Sequence, residues 1–352
     1  MHVPDGFINA PVSAAAGVVA AGAVAVSLRG ARRELDERTA PLAGLVAAFI
    51  FAVQMLNFPV AAGTSGHLLG GALAAILVGP YTGVLCVSVV LLMQGVLFAD
   101  GGLTALGVNI TDMAITTTVV AYLVFRGLVK VLPRGRRSIT VASFAAALVS
   151  VPAAAVVFTL VYAIGGTTDV SLGKVATAMV GVHVLIGIGE AVITALTVGA
   201  VVAVRPDLVY GARGLTAPLK LKVGGELVDA PAAAPAAPVA ARSHRKIWIT
   251  GLLTSLVLAG FVSFYASANP DGLEKVAHDK GIDSKTKEHA SADSPLADYG
   301  VKDITDARLS GGLAGVIGVG VTVVAGSGIF WALRRRRTSD AASTEVRAQE
   351  TV

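Results

Sequence analysis

The sequence predicts an all-α integral membrane protein, with a helical bundle of about seven spans and two further C-terminal transmembrane helices. Hydrophobic residues make up 54% of its 352 residues and charged residues only 14%, whereas about a quarter of the residues of an average soluble domain are charged. Six to nine apolar stretches approach or exceed the roughly 20 residues that cross a bilayer as a helix. The lipid bilayer is therefore the expected environment of most of the chain.

The apolar stretches define the predicted spans in order along the chain. We place them at 8–28, 41–58, 67–79, 82–99, 102–125, 139–164 and 174–204, followed by two more at 247–267 and 311–333. The third is short and interrupted by glycines, so we expect it to be broken or tilted. The single cysteine, Cys86, lies inside a span, which leaves no disulfide and no thiolate cluster.

The distribution of Lys and Arg predicts the orientation of the spans. With the N-terminus outside, 21 of the 28 basic residues fall in cytoplasmic segments, in agreement with the positive-inside rule. We therefore expect a multi-pass protein of a bacterial cell (inner or plasma) membrane, with an extracytoplasmic N-terminus and a cytoplasmic C-terminus. Because the basic residues occupy short loops beside apolar spans, the net charge of +5 does not indicate nucleic acid as a partner.

Composition divides the chain into four regions. Residues 1–210 form the first membrane domain, and 211–246 form a cytoplasmic linker rich in Ala and Pro, with too few large apolar groups for a core. Residues 247–336 form a second domain with two transmembrane helices and an extracytoplasmic loop, and 337–352 form a disordered tail. No Gly-x4-Gly-Lys-Ser/Thr sequence occurs, so ATP hydrolysis by that route would need a separate chain.

The N-terminus offers several nitrogen atoms close together. It reads MHVPDGFINA, without a basic segment or a cleavage site, so we expect it to be mature as translated and to keep its methionine. Met1 and His2 then present an amine, a peptide N–H and an imidazole, which can close a five-membered and a six-membered chelate ring on one metal ion. Such fused rings favour a planar set of nitrogen ligands.

A fourth nitrogen is expected from His67, in the segment GTSGHLLGG. This residue follows the predicted outer loop 59–66, on the same side of the membrane as Met1. Four nitrogen ligands near one plane suit nickel(II) and copper(II), whereas zinc favours a tetrahedron. The alternative is structural, with His2 an exposed terminal residue and His67 the cap of a helix.

Ionisable residues inside the predicted spans are further candidates. His183 and Glu190, in HVLIGIGE, lie seven residues apart on one helix face, where Glu190 would accept a hydrogen bond from a ligand imidazole. A buried structural pair is the alternative, and the same choice applies to Asp112. Asp5, three residues after His2, is placed to orient its ring.

The predicted outer loops contain two more features. The sequence ADGG at 99–102 is typical of a tight turn, to which Asp100 adds negative charge. The loop 268–310 has His278 and His289 among carboxylates. Such a pattern indicates either weak local metal capture or an ordinary solvated loop.

Four motifs follow one another through the first domain: MHVPDGF, GTSGHLLGGALAAILVGPYTG, FADGGLTALG and HVLIGIGEAVIT. Together they resemble the CbiM/NikM family, the substrate-binding membrane subunits of energy-coupling-factor transporters for nickel and cobalt, over about residues 1–205. Residues 247–336, with PDGLEKVAHDKG after a span, resemble the PDGLE domain, which is related to the small accessory subunit of such transporters. The chain therefore resembles a fusion of the two.

This resemblance implies an all-helical bundle whose extracytoplasmic N-terminus binds the metal. The family's ligands are the terminal amine, the backbone nitrogen and side chain of the second residue, and the histidine of the GTSGH-type motif. They correspond here to Met1, His2 and His67. Five other residues match family motifs and are expected to surround the ligands: Asp5, Thr64, Ser65, His183 and Glu190.

The resemblance also implies a transport subunit rather than an enzyme. Ni(II) or Co(II) would be the transported substrate, with no catalytic cofactor, and the partners would be an energy-coupling transmembrane subunit and cytoplasmic ATPase subunits. The GTSGH form of the motif is more similar to the nickel branch. Two alternatives stay open: an ion- or proton-coupled secondary metal transporter that uses Glu190 and Asp112, and a membrane enzyme with an open metal position and a general base.

Overall fold

Among the residues that the structure describes, eight α-helices and one β-hairpin make up most of the first domain. The helices are α1 Ala10–Glu34, α2 Ala40–Gln54, α3 Gly71–Val78, α4 Pro80–Leu97, α5 Leu106–Asn109, α6 Thr117–Val131, α7 Arg136–Gly165 and α8 Leu172–Val204. A π-helical segment, Ile110–Thr116, joins α5 to α6 in one continuous span. The hairpin pairs β1 (Phe58–Ala61) antiparallel with β2 (Thr64–Gly66).

The computed structural model describes residues 1–35, 40–61, 63–215, 220–223, 226–229 and 245–349. Much of the predicted linker 211–246 lies outside the described residues. Within it, β3 (Lys220–Val223) pairs antiparallel with β4 (Glu226–Asp229).

The C-terminal domain contains α9 (Arg245–Gly260), α10 (Gly272–Lys280) and α11 (Ala307–Gln349). Helix α11 continues through 337–349, where we predicted a disordered tail. Once a membrane helix has formed, each added residue gains a backbone hydrogen bond. The Ala, Glu, Arg and Gln residues of this stretch also have favourable helix propensities, which accounts for the difference.

Seven helices of the described chain are long and apolar enough to cross a membrane, which confirms the predicted membrane bundle. They are α1, α4, the span Leu106–Val131, α7, α8, the span Arg245–Tyr265 and the Ala307–Arg334 part of α11. The two remaining predicted spans form shorter helices, since α2 has 15 residues and α3 has eight. Five long spans therefore belong to the first domain and two to the second.

Helix α3 lies at the centre of the first domain. It is short because glycines in left-handed or otherwise unusual backbone conformations bound it, Gly70 with φ 89° and Gly79 with φ 102°. Every residue of α3 is buried, and the helix contacts α2, α4, α6, α7 and α8. The predicted span 67–79 is thus broken, as expected, and the loop that carries His67 enters the bundle at the start of α3.

The two C-terminal spans pack on the first domain along α2, which both α9 and α11 contact. Glycines let α9 and α11 approach each other closely. A Cβ on Gly315 would lie 2.3 Å from the carbonyl oxygen of Ala259, and one on Gly312 would lie 2.6 Å from that of Gly260. The second domain is therefore part of the same bundle.

The polar segment between α9 and α11 lies across one end of the first domain. Four backbone hydrogen bonds between described residues anchor it there: Ser65 N–H to Pro270 O, Ser267 N–H to Asn57 O, Lys287 N–H to Asp5 O, and Asp298 N–H to Phe98 O. The segments that these bonds reach are the N-terminus, the connection after α2 and the turn after α4. That end of the molecule brings together all the loops that we predicted to face outward.

Candidate metal site

The N-terminus is buried inside the bundle. Met1 is only 2% exposed. Val3 fixes its position, because its N–H donates to Asn109 Oδ1 at 2.7 Å and its carbonyl accepts from Asn109 Nδ2 at 3.1 Å. Gly102 N–H donates a further bond to the same carbonyl, at 2.9 Å. Asn109, which we did not single out from the sequence, therefore aligns the first residues much as a paired strand would.

His67, which the sequence suggested as a fourth nitrogen ligand, lies beside the terminal amine. Its Nε2 lies 2.6 Å from the nitrogen of Met1, and its Nδ1 lies 3.0 Å from the carbonyl oxygen of Leu68. A neutral ring that donates Nδ1–H to this carbonyl leaves the lone pair of Nε2 directed at the amine. This arrangement is the one that metal-binding histidines adopt, with the outer nitrogen hydrogen-bonded to the protein.

Glu190 fixes the loop that carries His67, rather than an imidazole as we predicted. Its carboxylate accepts the backbone N–H of Leu69 at 2.6 Å and that of Gly70 at 3.1 Å. These N–H groups lie at the start of helix α3, so the carboxyl oxygens of Glu190 also meet the positive end of that helix. Gln54 completes the anchorage, with its Nε2 donating to Leu69 O at 3.0 Å.

Asp271 also belongs to the site and was not predicted from the sequence. Its Oδ2 lies 2.7 Å from the Met1 nitrogen and 3.5 Å from His67 Nε2. Burial alone would raise the pKa of Asp271, but the charge of the adjacent Met1 ammonium and the hydrogen bond that it donates hold this pKa well below its usual range. A carboxylate from the C-terminal domain therefore faces the predicted ligands of the first.

The Asp271 side chain is fixed by the helix that follows it. Its Oδ1 accepts the N–H of Glu274 at 2.8 Å, and Glu274 Oε2 accepts the N–H of Asp271 at 2.8 Å. This reciprocal capping box starts helix α10. The sequence signal was the spacing D-x-x-E in PDGLE, which predicts a helix start but does not indicate where that helix packs.

The ring of His2 stacks on that of His67, with 5.1 Å between ring centroids and 19° between planes. Its Nε2 lies 3.1 Å from Gln94 Oε1 and its Nδ1 lies 3.2 Å from Asp100 Oδ1. Burial lowers the pKa of His2 to about 4, although the charge of Asp100 acts in the opposite direction. The imidazole is thus neutral at neutral pH, the form that binds metal.

Tyr299, from the C-terminal domain, connects the two partners of His2. Its hydroxyl donates to Asp100 Oδ2 at 2.5 Å and accepts from Gln94 Nε2 at 2.9 Å. The Gln94 amide is thereby oriented with its oxygen toward His2. Burial and the neighbouring Asp100 charge raise the pKa of Tyr299 well above its usual value, so the hydroxyl keeps its proton.

Two of the residues predicted around the ligands, Asp5 and Ser65, contact loops instead, and a third, Thr64, lies in a strand. Asp5 Oδ1 accepts from Thr104 N at 2.8 Å and from Thr104 Oγ1 at 2.5 Å, so it anchors the turn after α4 rather than the His2 ring. Ser65 donates its N–H to Pro270 O and its Oγ to Asn269 O. Thr64 is buried in strand β2.

His183 and Glu190, the predicted pair in helix α8, bond to other groups rather than to each other. His183 Nδ1 lies 2.7 Å from Met179 O within the same helix, whereas Glu190 bonds to the loop before α3. His183 Nε2 is buried and has no hydrogen-bond partner among the described residues, and the same holds for both carboxyl oxygens of Asp112. Neither residue belongs to the group formed by His2, His67 and Asp271.

A cleft of about 460 Å³ opens beside His2. It lies between the N-terminal segment and α10, and its walls include Pro4, Phe7, Glu274 and His278.

The two histidines of the predicted outer loop 268–310 contact residues other than the candidate ligands. His278 is exposed and lies 3.1 Å from Asp283, and His289 Nε2 lies 3.1 Å from Gly101 O.

The structure thus brings together both predicted ligand side chains, those of His2 and His67, and one that was not predicted, that of Asp271. One donor atom each of His2, His67 and Asp271 lies within 4.8 Å of the others, and the Met1 amine lies against two of the three. In the part of the chain that the structure describes, this is the one group of three His, Cys, Asp or Glu side chains placed closely enough to hold a metal ion.

Comparison with protein families matches both domains. The family described as "CbiM: Cobalt uptake substrate-specific transmembrane region" matches residues 2–208, more than half of the chain. The PDGLE domain matches residues 245–335. The two matches leave residues 209–244 between them.

Individual relatives match part of the chain. The cobalt transport protein CbiM of Sorangium cellulosum is 34% identical over 215 residues, which are 59% of this chain and 94% of that one. The fused nickel transport protein NikMN of Rhodobacter capsulatus is 43% identical over 128 residues, 36% of each chain. The crystal structure of a truncated transition metal transporter superposes with a TM-score of 0.51 at 27% identity, covering 58% of this chain and 99% of that one. The chain therefore belongs to the CbiM/NikM family and carries a PDGLE domain fused at its C-terminal side.

Proposed function

We propose that this multi-pass membrane protein is the substrate-capture subunit of an ATP-driven energy-coupling-factor importer for Ni(II), with Co(II) as a second substrate. It binds the ion on the extracytoplasmic side with Met1, His2 and His67. One observation carries the proposal: the terminal amine is buried, 2.6 Å from His67 Nε2, with the His2 ring stacked on that of His67. The ion is the transported substrate, and no catalytic cofactor is needed.

The nitrogen atoms of Met1 and His2 can form a chelate whose geometry favours particular metal ions. The Met1 amine and the His2 amide nitrogen close a five-membered ring on a metal ion, and His2 Nδ1 extends it by a six-membered ring. With His2 Nε2 hydrogen-bonded to Gln94 Oε1 at 3.1 Å, Nδ1 is the nitrogen left for the ion. Binding through Nδ1 replaces its contact with Asp100, and His67 Nε2 adds a fourth nitrogen. Such a planar set favours nickel(II).

The energy source is proposed to lie on other chains. The sequence lacks a Walker A motif, and the resemblance to the CbiM/NikM family implies an energy-coupling transmembrane subunit and cytoplasmic ATPase subunits as partners. The distribution of 21 of 28 basic residues supports an outward-facing N-terminus. These considerations support capture from outside followed by release inward, driven by ATP hydrolysis on the partners.

A metal-dependent enzyme fits the site less well. Such an enzyme needs an open metal position with a general base beside it. The nearest candidate base in helix α8, Glu190, already accepts two backbone hydrogen bonds, from Leu69 and Gly70. We therefore infer a transport subunit and not an enzyme.

An ion- or proton-coupled secondary transporter is the second candidate, and one observation favours it. Asp112 is buried in the π-helical segment, and its carboxyl oxygens have no hydrogen-bond partner among the described residues. Ionisable residues inside membrane helices commonly serve ion or proton pathways. Uptake without any ATPase would support this second function.

The proposal is tested by titrating the purified full chain with nickel(II) and cobalt(II), beside His67→Ala. We expect one ion per chain and a loss of affinity of at least about 100-fold in the variant, because even groups that only support a ligand contribute roughly 10–100-fold. Uptake into vesicles should then require the ATPase partners and ATP. Unchanged affinity in His67→Ala would contradict the site, and uptake without ATP would contradict the mechanism.

A further inference from the structure

We propose that Asp271 is an additional ligand of the captured ion, so that the fused C-terminal domain completes the metal site. This inference rests on the proposed function and adds to it an oxygen donor and a role for the PDGLE sequence. Three distances carry it. The Met1 nitrogen lies 2.6 Å from His67 Nε2 and 2.7 Å from Asp271 Oδ2, and the latter two atoms lie 3.5 Å apart.

These distances match ligands at right angles around one ion. With bonds of about 2.0–2.1 Å, two ligands at right angles lie about 2.9 Å apart and two opposite ligands about 4.1 Å apart. The separation of 3.5 Å between His67 Nε2 and Asp271 Oδ2 falls short of the value for opposite ligands. In a square-planar complex, any three of the four ligands include one opposite pair. Asp271 Oδ2 therefore lies outside the plane that contains the nitrogen ligands.

Contacts made by the residues before and after Asp271 in the chain hold its carboxylate in place. Its Oδ1 is engaged in the helix cap with Glu274 N, which leaves Oδ2 directed at the site. The preceding carbonyls of Asn269 and Pro270 accept hydrogen bonds from Ser65. Since Ser65 precedes His67 by two residues, the loop that carries Asp271 and the loop that carries His67 form one unit.

The residue after Asp271 allows this close approach. A Cβ on Gly272 would lie 2.8 Å from Val182 Cγ1 and 2.9 Å from Ile186 Cδ1, both in helix α8. The start of α10 thus packs directly against α8. A glycine at this position brings the Asp271 side chain to the depth at which the Met1 amine lies.

An oxygen ligand outside the nitrogen plane changes which ions the site accepts. Four planar nitrogens favour nickel(II) or copper(II), whereas oxygen ligands and higher coordination numbers suit ions that avoid planar geometry. A fifth ligand from Asp271 therefore widens the site toward cobalt(II). The charge of the carboxylate also partly balances a divalent ion in a buried site, where charge interactions are strong.

Asp271→Asn tests the ligand with little change to the helix. The Asn side chain oxygen can keep the cap on Glu274 N–H, and its amide N–H₂, which has no lone pair to donate, then faces the ion. Asp271→Ser is the second variant, since Ser is also a good N-cap residue. Glu274→Gln is the matched control, because Glu274 belongs to the same capping box but its carboxylate bonds to Asp271 N.

The measurements are X-ray absorption of the nickel-loaded full chain and competition between nickel(II) and cobalt(II). We expect five ligands in the wild type and in Glu274→Gln. In Asp271→Asn and Asp271→Ser we expect the sharp pre-edge feature of planar nickel and a cobalt affinity lower by roughly 10–100-fold. Planar nickel in the wild type, or an unchanged metal preference in both Asp271 variants, would overturn the inference and leave the proposed function standing. Failure of the wild type to bind either ion would overturn both.

Discussion

Glu190 accepts a hydrogen bond of 2.6 Å from the backbone N–H of Leu69. This contact joins helix α8, deep in the bundle, to the loop that carries His67 at the entrance of α3. A second bond, from Gly70 N–H at 3.1 Å, uses the other carboxylate oxygen. The buried acid therefore holds the metal-binding histidine in position through the backbone, without touching its ring.

Replacing Glu190 by Gln should lower stability and weaken metal binding only in part. The Gln oxygen can accept one of the two backbone bonds, while the amide group leaves the other N–H unsatisfied, a change that destabilises by about 1–3 kcal/mol. We expect nickel affinity to fall less in Glu190→Gln than in His2→Ala, which removes a ligand. Thermal unfolding and metal titration of the two variants check both statements. The reverse order of affinities would indicate a coupled-ion carrier.

Tyr299→Phe should weaken metal binding by roughly 10–100-fold, as is usual when a group that orients a ligand is removed. The substitution deletes the hydroxyl that holds Gln94 and Asp100 in place, while the ring can keep its stacking on Phe98. Tyr265→Phe is the matched control, because Tyr265 is exposed in the same domain. Equal affinities for the two variants would show that the network around His2 does not support binding.

Gly272→Ala should separate α10 from α8 and reduce metal affinity. The added methyl group would overlap Val182 and Ile186, and overpacking of this kind typically costs about 1–3 kcal/mol. Because α10 carries Asp271 at its start, we expect the affinity for metal to fall together with stability. Gly173→Ala serves as the control, since a Cβ there meets no atom within 4 Å. An affinity equal to that of the control would contradict the role of this contact.

Asp112→Asn should leave metal uptake within about twofold of the wild type if ATP hydrolysis on partner chains drives transport. The side chain is buried and its oxygens have no hydrogen-bond partner among the described residues, so the amide replaces the carboxyl without breaking a bond seen there. Uptake into vesicles with ATP and the partner subunits measures the effect. Abolished uptake with intact metal binding would favour proton or ion coupling through Asp112.

Local chemistry predicted part of this site from the sequence. The nitrogen atoms of Met1 and His2 are adjacent in the chain, so their capacity to chelate follows from covalent geometry alone. The prediction that His67 joins these nitrogen atoms needed only one more expectation, that its loop faces the same side of the membrane as the N-terminus. The structure places the Met1 amine and the two imidazoles together, while the chelate itself stays a prediction.

The contacts that sequence reasoning missed depend on tertiary packing. Asp271 lies 270 positions from Met1, and only the docking of the C-terminal domain brings the two together. Glu190 was predicted to matter because a buried acid needs partners, yet its partners are backbone N–H groups, which no side-chain pattern identifies. Asp5 was assigned to His2 from its nearness in sequence, whereas the turn at Gly102–Thr104 brings a better donor to it.

The most direct test of the account is the metal content of the purified protein after equal exposure to nickel(II) and cobalt(II). The wild type is measured beside His2→Ala and beside a form with one residue added before Met1, which converts the amine into an amide. The account predicts close to one ion per wild-type chain, mainly nickel, and loss of that ion in both altered forms. Metal retained in both would contradict a site built on the terminal amine and the second residue.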